Sequence, residues 1–91
     1  MAQHGPYLLS TVGDKIIAGL CVECVVWEGT TTAGDTVELK DPVTGLLFWR
    51  GRANDTNTYL GVAWSDGLKA PNGIVLAQKS SGTVFVYPRE N

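Results

Sequence analysis

The groups best suited to chemistry in this chain are two cysteines, one histidine and nine carboxylates. Cys21-Val22-Glu23-Cys24 is a C-x-x-C. That spacing serves thiol–disulfide exchange when it opens a helix, and zinc binding when it comes in paired copies. Here it lies in the run from Lys15 to Trp27, whose β-branched content favours a strand. In a regular strand, residues i and i+3 point to opposite faces about 10 Å apart, which rules out a disulfide between them. Only His4 could add a further soft ligand, too few for a four-ligand zinc site. The expectation is two cysteines packed as small apolar residues.

His4 falls in an N-terminal arm, where nothing holds it beside a nucleophile. Asp14, Asp35, Asp41, Asp55 and Asp66 sit in turn sequences, where Asp accepts hydrogen bonds from nearby backbone N–H groups. Glu23 alone interrupts an apolar run. It is expected either buried and paired, or at a sheet edge as a charge that blocks aggregation. No phosphate loop, G-x-G-x-x-G or calcium loop occurs. The sequence therefore predicts no catalytic residue, no cofactor and no metal, and hence no enzyme. Trp27, Trp49 and Trp64, with Tyr7, Tyr59 and Tyr87, fit a sugar-stacking platform as well as a core or an interface, and spacing does not decide between them.

The elements that would carry these residues are short. Turn signals such as Val12-Gly13-Asp14, Asp41-Pro42, Thr44-Gly45, Asp66-Gly67 and Pro71-Asn72-Gly73 recur along the chain. Between them lie runs rich in Val, Ile, Thr, Trp and Tyr, the signature of an all-β sandwich or barrel of antiparallel strands, about six to eight here. In Lys15–Trp27 a strand reading puts Ile16, Ala18, Leu20, Val22, Cys24 and Val26 on one face, with Gly19 as a bend. A helical stripe through Ile16, Ile17, Leu20, Cys21, Cys24 and Val25 is the competing pattern; Val22, Val26 and Trp27 fall off it. Thr36–Lys40 alternates cleanly, and the turn at 41–45 leads to Leu46–Arg50, together a hairpin. Tyr59–Trp64, Ile74–Ala77 and Thr83–Tyr87 complete the set.

Residues 1–91 make a single domain, with 1–7 as an N-terminal arm and 88–91 as a C-terminal tail. Leu46–Arg50 and Thr83–Tyr87 are apolar on both faces, whereas a sandwich strand needs only one dry face. The charged fraction is 18%, below the usual quarter or so. The two-faced strands imply either loops over the outer face or a subunit interface, and the low charge adds to the case for surface covered by partner subunits. Net charge is −2, and the seven basic residues are scattered along the chain, so neither nucleic acid nor membrane is an expected partner. The N-terminus lacks the pattern of a secretory signal, and the longest apolar stretch is too short to span a bilayer.

Two stretches carry a resemblance: Trp27–Asp41 and Ser81–Tyr87, with Lys15-Ile16-Ile17 and Gly67–Pro71 between and before them. This pattern resembles small β-sandwich structural proteins of tailed bacteriophages. The resemblance implies a non-enzymatic virion component, best suited to a capsid decoration, or cement, protein. Such a protein is made in the host bacterial cytoplasm and binds the assembled shell at the capsid surface. Its partners would be the major capsid protein or other virion subunits, and copies of itself, with a trimer favoured. The alternatives are a tail, neck or fibre accessory module, or a carbohydrate-binding β-sandwich. For the decoration reading the expected interface is the termini and one outer face, comprising Met1, His4, Tyr7, Phe48, Trp49, Phe85, Tyr87 and Arg89.

Overall fold

A computed structural model describes residues 6–16, 19–55 and 60–89. These form eight strands: β1 (Tyr7–Leu9), β2 (Lys15–Ile16), β3 (Leu20–Glu28), β4 (Thr36–Lys40), β5 (Leu47–Arg52), β6 (Leu60–Ala70), β7 (Ile74–Lys79) and β8 (Thr83–Pro88). They build two four-stranded sheets, ordered β1-β8-β3-β6 and β2-β7-β4-β5, with every pairing antiparallel. The all-β expectation holds: Lys15–Ile16 and Leu20–Glu28 are strands, not turns of a helix. Tyr7 opens a strand and Pro88 closes one, so the ordered sheet reaches further toward both ends than the alternation alone marks. Among the described residues no helix is long and apolar enough to cross a membrane.

The chain changes sheet at nearly every connection, and only β4–β5 is a hairpin of consecutive strands. That hairpin rests on Asp41, which is 6% exposed. Its Oδ1 accepts the N–H groups of Val43 at 2.7 Å and Thr44 at 2.9 Å, and its Oδ2 accepts Asn72 Nδ2 at 3.2 Å. Gly45, at φ +78°, supplies the left-handed residue that closes the turn. Asp14 works the same way, accepting from the Ser10 and Thr11 N–H groups. Asp35 holds Ser81 Oγ instead.

The sheets close over one core. Leu9, Val22, Val25, Trp27, Val84 and Val86 line it from the first sheet; Ile16, Val37, Leu39, Ile74 and Leu76 line it from the second. Among the described side chains of β3 the buried ones are Val22, Val25 and Trp27, not the single face through Val22, Cys24 and Val26 that strict alternation gives. The cause is a bulge. Val22 pairs with Pro88 but Cys24 pairs with Tyr87, which leaves Glu23 as the extra residue. One extra residue exchanges the two faces of a strand. On the β6 side Val22 pairs with Leu68 and Cys24 with Ala63, so residues 64–67 loop out opposite Glu23. The Asp66-Gly67 turn signal therefore makes an excursion within a strand instead of a chain reversal.

The depressed carboxylates predict an acid limb of stability. N–H donors, first from Thr44 and then from Val43, with Asn72, hold the Asp41 carboxyl below its ordinary value, against burial that raises it. The Thr11 and Ser10 N–H groups do the same for Asp14. A carboxyl depressed by folding adds stability that is fully present above its unfolded value of about 4 and is lost as pH falls through its folded value. The urea midpoint should thus fall between pH 5 and pH 2.5 or so. In Asp41→Asn that fall should be smaller, because one of the titrating groups is gone. An equal fall in both proteins would remove Asp41 from the account.

Candidate functional site

The outward residues of the two sheets differ in kind. In antiparallel sheets directly paired residues share a face. Leu8 pairs with Phe85, Phe85 with Val26, and Val26 with Gly61, which gives one row of outward side chains across β1, β8, β3 and β6. The next row is Tyr87, Cys24 and Ala63. Both rows are apolar or weakly polar. Leu8 is 57% exposed and Tyr87 37% exposed, the bulkiest accessible groups of the set. Among the described residues charge enters at the ends of this face, with Glu28 beyond Val26, and with Glu23, its partner Arg89 and Lys69 beyond Cys24.

The second sheet has the wet outer face that a sandwich should have. Lys15, Lys40, Glu38, Gln78, Thr36, Arg50 and Arg52 point outward there. Glu38 accepts from Arg50 Nε at 2.9 Å and lies 3.7 Å from Lys40 Nζ.

At the Glu23 bulge, Arg89 forms a clamp. Its Nε donates to Glu23 Oε1 at 2.7 Å and its Nη2 to the Ser65 carbonyl at 2.9 Å, while its backbone N–H reaches the Cys21 carbonyl at 2.7 Å. The guanidinium thereby ties the 64–67 excursion to β3. It also holds the Glu23 carboxyl below its ordinary value, first through the hydrogen bond and then through charge. Glu23 is paired, as one of the two expectations had it, but it is exposed and sits in a central strand. It is therefore neither buried nor at an edge.

The bulge also changes the cysteine geometry. Cys21 and Cys24 flank Val22 and Val25, the core residues on either side of it, so both thiols lie on the outer face of the first sheet. The opposite-face relation of a regular strand does not apply. Both are free and half-buried, and they cover the outside of the sheet instead of filling the core. Burial, then the Glu23 charge, pushes the Cys24 thiol up, which disfavours the reactive thiolate. Gly67, at φ +78°, lies directly against Cys21 Sγ, where a Cβ has no room.

The expected interface residues separate into groups. Phe85 and Tyr87 lie together on the apolar outer face, with Leu8, Val26 and Cys24, which the sequence reading did not single out. Tyr7 pairs with Val86, so it is on the core side of edge strand β1, yet 39% exposed. Phe48 and Trp49 pack against the core. Lys40 pairs with Leu47 but Leu39 with Trp49, and the bulge at Phe48 lets both aromatics turn inward. That removes the dry outer face expected for this strand. Arg89 is spent on the clamp. Met1 and His4 lie outside the described residues, as does Tyr59.

All three tryptophans belong to the core or its margin. Trp27 is fully buried, and Trp49 and Trp64 pack against the core cluster. Among the described residues no three His, Cys, Asp or Glu side chains gather as metal ligands. Fold and surface together define an antiparallel two-sheet β-protein with one apolar and one charged outer face. Comparison with protein-family models, curated proteins and solved structures finds no match for the chain.

Proposed function

We propose that this protein is a non-enzymatic structural subunit of a tailed-phage particle, a capsid decoration protein that docks on the assembled shell through the outer face of β1-β8-β3-β6. The observation that carries this reading is the Leu8–Phe85–Val26 row with Tyr87 beside it, an apolar surface on the side of a sheet that should be wet. At strand spacings of about 4.8 Å and a rise of about 3.4 Å per residue, the face covers about 300 Å². A stable two-protein interface takes about 800 Å² from each partner. The face is therefore one contact among several, which suits a subunit added to a lattice better than a free dimer. A trimer, the assembly the resemblance implies, presents three such faces at once and multiplies a weak contact through effective concentration.

The test is sedimentation with shells assembled from the coat protein of the phage that encodes the chain. Saturable pelleting with assembled shells, and none with unassembled coat subunits, is the expected result. A low copy number per particle would instead favour a tail, neck or fibre accessory module. Absence from purified virions by mass spectrometry would overturn the proposal. The glycan-binding alternative loses its main support from the inward packing of the tryptophans.

A further inference from the structure

The basic residues are scattered in sequence, but the fold gathers them. Four of the seven stand on the outer face of β2-β7-β4-β5: Lys15, Lys40, Arg50 and Arg52. The one carboxylate among them is Glu38, in a chain whose overall net charge is −2. Glu38 is occupied by Arg50 and Lys40. Lys15 and Arg52 have no carboxylate within 4.0 Å among the described residues, and they stand at opposite corners of the sheet. Lys15 pairs with Val75 beside Lys40, whereas Arg52 pairs with Thr36, four residues away along β4 and one strand further out. Strand spacing and rise place their backbones about 20 Å apart.

We infer that this face is a second docking surface and that its partner is an acidic protein surface, one presenting carboxylates over a span of about 20 Å. Charge complementarity selects an anionic partner. Between the two kinds of polyanion, the side chains favour carboxylates over nucleic acid. The outward groups among the cations are Val75, Leu47, Gln78 and Thr36, so no aromatic is present on which a base could stack. Glu38 at the centre repels a continuous phosphate chain but fits a protein surface of mixed sign. Arg52 offers a planar fork that matches a carboxylate in two bonds. This surface does not depend on docking through the other sheet. A domain apolar on one side and cationic on the other has the form of a bridge between two different protein surfaces.

Retention of the whole chain on immobilised poly-L-glutamate, read against salt and against single-stranded DNA of matched charge, tests the inference. Retention at about 50 mM NaCl, lost by about 200 mM, is the expected result. Each cation removed should weaken binding about threefold, so Lys15→Gln/Arg52→Gln should lose about tenfold. Lys69→Gln, a cation on the other sheet, should change nothing. Circular dichroism confirms that each variant keeps its sheet. Flow-through at low salt would overturn the proposal, and so would an equal loss in Lys69→Gln, which would reduce the effect to net charge. Stronger retention on DNA than on poly-L-glutamate would overturn it in favour of nucleic acid. None of these outcomes depends on shell binding.

Discussion

Trp27→Ala should lower the unfolding free energy by about 3–5 kcal/mol, the range for removing a buried aromatic from a core. A 91-residue domain has only about 5–14 kcal/mol in all, so this one change removes a large share of its stability. Three features concentrate the effect at this residue. The indole is fully buried, the largest such side chain in the protein. Its Nε1–H donates to the Ser81 carbonyl at 2.9 Å, fixing the turn that launches β8. Gly82, at φ +79°, presses against it so closely that a Cβ there would come within 2.8 Å of Nε1 and 2.6 Å of the Glu28 carbonyl. Trp27→Phe separates the two contributions. It keeps an aromatic ring but loses the bond, and the lost bond by itself should cost about 1–2 kcal/mol. Urea unfolding followed by circular dichroism gives both values. A loss under about 1 kcal/mol for Trp27→Ala would mean that the two sheets do not close over this side chain.

The sequence pattern was sufficient where strands are regular. Thr36–Lys40 alternates with Val37 and Leu39 inward, and the Asp41 turn forms the hairpin that its residues specify. It failed at the bulges. Nothing in Cys21–Val26 announces that Glu23 is an extra residue, because a bulge is set by what the neighbouring strands can pair with, and those lie about 40 and 65 residues further along. The same holds at Phe48, where a pattern apolar on both faces proved to be two aromatics turned inward together. Strands as short as Tyr7–Leu9 and Lys15–Ile16 carry too few residues to show a period at all. The cationic face was hidden for a related reason. Lys15, Lys40, Arg50 and Arg52 become neighbours only through the order β2-β7-β4-β5, which no local pattern encodes. The apolar face was legible in part, since Phe85 and Tyr87 lie two residues apart and so share one side of a strand. Their partners Leu8 and Val26 needed the register.

Leu8→Asp should weaken shell binding by about a hundredfold, roughly 2.7 kcal/mol, the scale of an interface hot spot. The expectation follows from its place. Leu8 is the most exposed member of the apolar row and stands on edge strand β1, next to Phe85. A carboxylate there must be desolvated against an apolar partner surface without a counter-charge from this sheet's apolar rows, whose nearest cations, Lys69 and Arg89, stand at the far end beside Cys21 and Glu23. The fold should tolerate the change to within about 0.5–1 kcal/mol, since Leu8 contributes little to the core. Tyr87→Ala, in the second row, should cost less, about tenfold, because it removes contact area without placing a charge. Co-sedimentation isotherms on assembled shells give both numbers, and urea midpoints show whether folding is spared. If Leu8→Asp pelleted like the parent while Lys15→Gln/Arg52→Gln did not pellet, the shell would be bound by the cationic sheet. The apolar face would then need a different occupant, and salt dependence of pelleting would separate the two arrangements, since contact through the apolar face is little screened and contact through the cationic face is lost as salt rises.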